Sequence, residues 1–171
     1  DNSIIFIADV KGQSYIYQIF LDSNRIYQLT EGGCQINTFT INDDSTLAVL
    51  DVTSTINPSE IQLLNLPTRK VKKITRAPGY LRKHPPAIME KYTFKRSRYD
   101  IECRLWLPPD FDSKRKYPLI LDIHGGPNSA FYDAFSINQQ ILATSGYLVL
   151  AVNPRGSTTY GHKFAMSVLG D

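Results

Sequence analysis

The chain of 171 residues contains no apolar run of the roughly 18–20 residues that a bilayer-spanning helix needs. No basic stretch, apolar core and small-residue cleavage site opens it either, so no signal peptide is read. The first residues form a strand-like run, Ser3 to Ala8, without Met. A piece cut from a longer protein is expected, with the cytoplasm the favoured compartment. Cysteine is scarce: Cys34 and Cys103 are the only two. Neither has a second cysteine or a histidine at zinc-ligand spacing, so no metal site and no cofactor are expected. Two buried thiols are the simplest reading, and a disulfide between them depends on geometry. Gly-x-Ser-x-Gly, the nucleophile elbow of many serine hydrolases, is absent.

Disorder is excluded by composition, with 42% hydrophobic and 20% charged residues. The net charge is only +3, but 12 of the 19 Lys and Arg fall between Arg69 and Arg104. No stacking aromatics or nucleic-acid motif accompany them, and several alternate with apolar residues. A solvated strand face or inter-domain surface is expected there, with neither nucleic acid nor membrane as partner.

The front half reads as antiparallel β. Strands are expected at Ser3–Ala8, Ser14–Leu21, Arg25–Thr30, Ile36–Ile41, Thr46–Val52, Glu60–Asn65 and Lys70–Thr75, separated by Asp, Asn, Gly and Pro turn signals. Tyr15 to Thr30 resembles Glu60 to Thr75 at an offset of about 45 residues, and each copy ends in Leu-Thr or Ile-Thr. That is near the period of propeller blades. Residues 76 to 90 have linker composition, and His84 beside Pro85 and Pro86 reads as exposed spacer. The expected division is 1–82, the C-terminal blades of a β-propeller, and 83–171, the N-terminal part of an α/β-hydrolase domain.

Lys91–Lys95 and Ile101–Leu107 should pair as a hairpin about Ser97–Asp100. Tyr117 to Ile123 is a nearly continuous apolar run ending in His124-Gly125-Gly126-Pro127, the pattern of a central strand buried on both faces. Helical spacing follows from Asn128 to Ser145, with Asn128 or Ser129 as N-cap and Gly146 at C′. Tyr147–Val152 is a second buried strand, leading into Asn153-Pro154-Arg155-Gly156-Ser157. This is a βαβ unit, and both motif loops leave strand C-termini, where open α/β sheets place ligands.

The His-Gly-Gly-Pro loop, Gln140 to Tyr147, and the segment from Asn153-Pro154-Arg155-Gly156-Ser157 through Tyr160-Gly161 and Phe164 together resemble the prolyl oligopeptidase family of serine peptidases. The acylaminoacyl-peptidase and dipeptidyl-peptidase branches look nearest. The resemblance implies hydrolysis of short peptides by a Ser, Asp and His, behind a propeller that restricts access, with a homo-oligomer possible. It implies that Gly126 supplies an oxyanion-hole N–H, that Gly125 shapes the turn and that His124 supports the loop. Arg155 and Tyr160 become candidates for the cleft mouth. Thr159 stands where the family usually has glycine, so its backbone is expected to differ locally. Triad residues follow the serine in α/β-hydrolases and are expected beyond Asp171. Ser157 is therefore not read as the nucleophile, nor His124 or His162 as the base. The alternatives are an α/β-hydrolase esterase or lipase, and a non-catalytic propeller-type interaction protein.

Overall fold

The computed structural model describes residues 2–76, 79, 83–126 and 128–170. Pro127 and the expected boundary after residue 82 lie outside them. The chain divides into two compact units: Asp1–Ala77 with Tyr132–Ala134, and Pro78–Phe131 with Phe135–Asp171.

The first unit holds two antiparallel sheets. In one, β1 (Ser3–Val10), β2 (Gln13–Phe20) and β3 (Ile26–Gln28) pair in chain order. In the other, β4 (Gln35–Ile41), β5 (Leu47–Thr53), β6 (Glu60–Asn65) and β7 (Lys70–Lys73) form a four-stranded meander. Each strand pairs with a sequence neighbour because short turns let it. Alternation then sends one face inward, and Ile16, Leu29, Ile36, Ala48, Leu50, Val52, Leu64 and Leu66 form a single aliphatic core.

The 45-residue repeat is structural. In the first copy the Leu29 N–H donates to the Ile16 carbonyl at 2.8 Å, and the Ile16 N–H donates to Thr30 Oγ1 at 2.9 Å. In the second, the Ile74 N–H donates to the Ile61 carbonyl at 2.9 Å, and the Ile61 N–H to Thr75 Oγ1 at 2.7 Å. The recurring threonine therefore extends each ladder beyond its strand with a hydroxyl acceptor. Asn24 and Arg69, also 45 apart, hold the matching turns with φ of +53° and +57°.

The second unit is built on one mixed sheet in the order β10-β11-β9-β8. Its strands are β8 (Ile88–Arg96), β9 (Tyr99–Leu107), β10 (Leu119–Asp122) and β11 (Leu148–Asn153). β8 and β9 form the expected hairpin, tightened so that Arg96 faces Tyr99 across Ser97 and Arg98. β10 and β11 run parallel, joined through α1 (Ile137–Thr144). Beyond β11 come the single turn α2 (His162–Ala165) and a 3-10 turn over Met166–Val168.

Three expectations need correcting. The helix does not start at Asn128 or Ser129. It covers only Ile137–Thr144, with Ser136 at the N-cap position and no side-chain cap bond. The preceding backbone is engaged elsewhere: the Phe131 N–H and C=O bond the Asn153 side chain, and the Ser129 C=O accepts from the Thr158 N–H. These groups cannot also serve an i→i−4 ladder. The helix end is as expected, with Gly146 at φ +94°. Its N–H donates to the Ala143 carbonyl at 3.0 Å, and the Tyr147 N–H to the Leu142 carbonyl at 3.3 Å, a Schellman closure.

Second, β10 is an edge strand, not a central one, in the sheet formed by the described residues. Among these it pairs with β11 alone, and Leu119, Leu121 and Ile123 are 56%, 55% and 76% exposed. Apolar content marks a strand, but only the sheet order decides whether a neighbour covers it. Third, Arg104 is not on a wet face. It lies on β9, the strand between β11 and β8, and is fully buried.

Helix α1 inverts the usual pattern. It buries Gln139, Gln140 and Ala143 and exposes Ile137 and Ile141. Gln140 is buried because its amide replaces a missing strand partner: Oε1 accepts from the Ala87 N–H at 2.8 Å, and Nε2 donates to the Ala87 carbonyl at 3.1 Å. Ala87 joins Trp106, Ala143, Val149 and Ala151 in the core beneath. Among the described residues, no helix is long and apolar enough to cross a membrane. Both cysteines are free thiols, with Cys103 buried and Cys34 half-buried.

Candidate active site

β10 and β11 are parallel and in register, with Asp122 opposite Ala151. Their C-terminal ends therefore deliver His124–Gly126 and Asn153–Ser157 side by side, as parallel pairing requires.

Each residue of the second loop has a definable role. Asn153, fully buried, grips the first loop's continuation. Its Oδ1 accepts from the Phe131 N–H at 2.8 Å, and its Nδ2 donates to the Phe131 carbonyl at 3.1 Å. The Pro154 carbonyl accepts from the Ser157 N–H at 3.1 Å and from Ser157 Oγ at 2.7 Å, closing the turn. Gly156 takes φ +93°, which glycine adopts at no steric cost. Arg155 Nη1 donates to the Ser167 carbonyl at 3.0 Å, and its guanidinium lies 5.8 Å from the Tyr99 ring centre. Ser157 is fully buried, and its Oγ lies 3.0 Å from His124 Nε2.

The histidine is fixed at three points. Its Nδ1 lies 2.7 Å from the Gly125 carbonyl, its Nε2 meets Ser157, and its ring packs edge-on to Phe131 at 5.3 Å. A carbonyl oxygen only accepts, so Nδ1 carries a proton.

The two glycines differ. At Gly126 φ is +154°, and a Cβ would come within 3.0 Å of the Asn128 backbone nitrogen. At Gly125 a Cβ would meet nothing within 4 Å. The demand for glycine in this loop therefore falls on Gly126.

Tyr160 sits in a buried polar cluster. Its hydroxyl donates to Glu102 Oε1 at 2.7 Å and accepts from Asn153 Nδ2 at 2.8 Å. Arg104 Nη1 lies 2.9 Å from the same Glu102 oxygen and 3.5 Å from the phenol. Burial, reinforced by the bond to Glu102, pushes the Tyr160 phenol up to about 12, against the opposing pull of Arg104 and Asn153. The phenol therefore stays a neutral donor. Tyr160 and Arg155 are thus held by partners inside the unit. Thr159 just before holds φ +71°, so the left-handed backbone that glycine would favour is kept by a β-branched residue. Ring packing of Tyr160 and Tyr99 on Phe164, at 5.2 and 5.7 Å, completes the cluster.

His84 and His162 are both exposed. Sequence reasoning missed Glu102, Arg104 and Asn153 as a linked set. A charged pair, Glu102 and Arg104, at alternate positions of an apolar strand was the available signal. Among the described residues, no group of three or more His, Cys, Asp or Glu side chains could hold a metal ion. A cavity of about 630 Å³ lies within the first unit, lined in part by Cys34, Glu60 and Lys73, and includes none of the motif residues.

Comparison with known proteins matches residues 133–171 to the prolyl oligopeptidase family. The chain is 32% identical over 168 residues to an uncharacterized peptidase, YuxL, of Bacillus subtilis, covering 96% of this chain and 25% of that protein. It is 29% identical over 173 residues to dipeptidyl-peptidase 5 of Porphyromonas gingivalis, covering 98% of this chain and 25% of that protein. The family match lies in the C-terminal part of the second unit, and the peptidases align with nearly the whole chain. The acylaminoacyl peptidase of Pyrococcus horikoshii shares the fold, with a TM-score of 0.85 at 23% identity over 98% of this chain and 26% of that one. The chain spans about a quarter of the length of the relatives it matches.

Proposed function

We propose that this chain is the part of a longer serine peptidase that joins the last propeller blades to the start of an α/β-hydrolase domain, and that it supplies the oxyanion-hole loop of the active site. The β4–β7 meander is one complete blade, and β1–β3 are three strands of the blade before it. The observation that carries the catalytic half is the His124–Gly126 loop: it follows a parallel strand, Gly126 has a conformation that disfavours a side chain, and the next loop braces His124.

The chemistry follows from the geometry. A serine hydroxyl attacking a peptide carbonyl generates an oxyanion, and pre-aimed backbone N–H groups stabilise it without reorganisation. Gly126 supplies one such donor, and His124 supports its loop. The nucleophile, acid and base are contributed by residues outside this sequence, which has no Gly-x-Ser-x-Gly. The exposed apolar positions of β10 and α1 are then where the remainder of the hydrolase domain packs. Short peptides are the substrate class, as the names of the related dipeptidyl-peptidases suggest.

Labelling the full-length protein with a fluorophosphonate probe tests this reading. Modification of one serine, in a Gly-x-Ser-x-Gly context C-terminal to Asp171, together with cleavage of short peptides, is the expected result. No labelled serine, or turnover of acyl esters with no peptide hydrolysis, would overturn it. Gly126→Ala should lower kcat by about 100-fold, the usual loss when one oxyanion donor is displaced.

A further inference from the structure

We propose that Ser157 is a positioning residue for the oxyanion-hole loop, acting through His124. The inference rests on the peptidase reading above and adds to it a residue of the second motif loop, whose hydroxyl no step of that chemistry uses.

Ser157 Oγ is a fully buried hydroxyl set between two partners on different loops. On one side lies the Pro154 carbonyl of its own turn at 2.7 Å, and on the other His124 Nε2 at 3.0 Å. With the ring proton on Nδ1, Nε2 is an acceptor, so both neighbours compete for the one hydroxyl proton and the contact between the loops is made when Oγ donates it to Nε2. Because Nδ1 is spent on the Gly125 carbonyl, Nε2 is the one ring atom left to tie His124 to the rest of the unit by a hydrogen bond. Without Ser157, among the described residues, the ring bonds its own neighbour in the chain and rests on the Phe131 ring. A loop held to itself can shift as a body. The contact with Ser157 references it to β11, and so to the sheet.

The surrounding bonds make Ser157 a firm reference point. Its N–H and Oγ both engage the Pro154 carbonyl, and the Thr158 N–H bonds the Ser129 carbonyl at 3.0 Å. Gly156 is tied by its N–H to the Phe164 carbonyl at 3.1 Å. The Ser157 backbone is therefore anchored on both sides, and the hydroxyl is the part that reaches the first loop. A misplacement of about 1 Å at an oxyanion donor costs far more in rate than in folding stability.

The experiment is a double-mutant cycle in the full-length enzyme, using Ser157→Ala, His124→Ala and their combination on a short peptide substrate. Ser157→Ala is expected to lower kcat about 10-fold, a fraction of a whole oxyanion donor, with KM moving less than about twofold. In the His124→Ala background, the second substitution should cost less than about twofold, because the two act as one unit. Ser157→Thr retains the hydroxyl and should recover most of kcat. A wild-type kcat for Ser157→Ala, or an undiminished loss on top of His124→Ala, overturns the proposal. Nitrogen-15 spectra of the His124 ring separate this failure from failure of the peptidase reading. If the parent cleaves no peptide, the functional reading falls. A shift of the Nε2 resonance in Ser157→Ala still supports the contact, and an unchanged Nε2 removes it.

Discussion

The two units are held together by different means. In the first, the sheets close over eight buried aliphatic and alanine side chains, and every strand pairs with its neighbour in sequence. In the second, the smaller core of Ala87, Trp106, Ala143, Val149 and Ala151 lies beside buried polar groups that bond one another across the chain. Arg104, Asn153 and Ser157 are fully buried there, and Gln139 and Gln140 nearly so. Twice a side-chain amide captures both the N–H and C=O of one residue, Asn153 on Phe131 and Gln140 on Ala87. An aliphatic core is non-directional and tolerates small adjustments. A polar network fixes distances and is expensive to leave half-made. On the proposed function, the unit that holds the catalytic loops is the one that uses the polar network.

The largest test of this contrast is Arg104→Met. Removing the guanidinium strands Glu102, whose side chain is only 13% exposed, and should cost about 3–5 kcal/mol in urea unfolding. Adding Glu102→Gln should return part of that loss, since the remaining uncompensated charge is then gone. A near-neutral Arg104→Met would break the comparison. In the first unit, Leu50→Ala should cost about 2–5 kcal/mol by the same measurement, through lost burial and the cavity left behind. If peptidase activity is retained at temperatures where this variant remains folded, stability and positioning are separable as the contrast requires.

Tyr160→Phe should cost about 1–2 kcal/mol, because Glu102 and Asn153 each lose a partner. It also carries a pH signature. The folded phenol is held at about 12, above its usual value near 10. Its contribution is complete below pH 10 and is lost as pH rises from about 10 through 12, where the unfolded chain releases the proton first. Tyr160→Phe should flatten that part of the stability–pH curve. The smallest effect is a gain. Thr159→Gly relieves a β-branched residue at positive φ and should raise the midpoint of thermal unfolding, by the equivalent of about 1 kcal/mol. No gain would show that the contacts Thr159 makes outweigh its backbone strain.

The sequence by itself determined the local architecture. The strands of the first unit lie within a few residues of their expected bounds because turn residues and alternation are nearest-neighbour properties. The 45-residue repeat was legible because the same threonine does the same work in both copies. The two motif loops were legible as strand-terminal loops because glycine and proline end strands wherever they fall. Which side chains are covered within this chain was not legible. Leu119 and Leu121 look like a buried strand, and Ile137 and Ile141 like a buried helix face, yet all four are more than half exposed. Gln139 and Gln140 look like surface and are buried. Polarity sets the cost of burial, while the sheet order and the partners that meet each group decide whether that cost is met. Only the tertiary structure brought Glu102, Arg104, Asn153 and Tyr160 together, and only it set Ser157 against His124, because hydrogen bonds between residues 33 to 58 positions apart leave no period in a sequence.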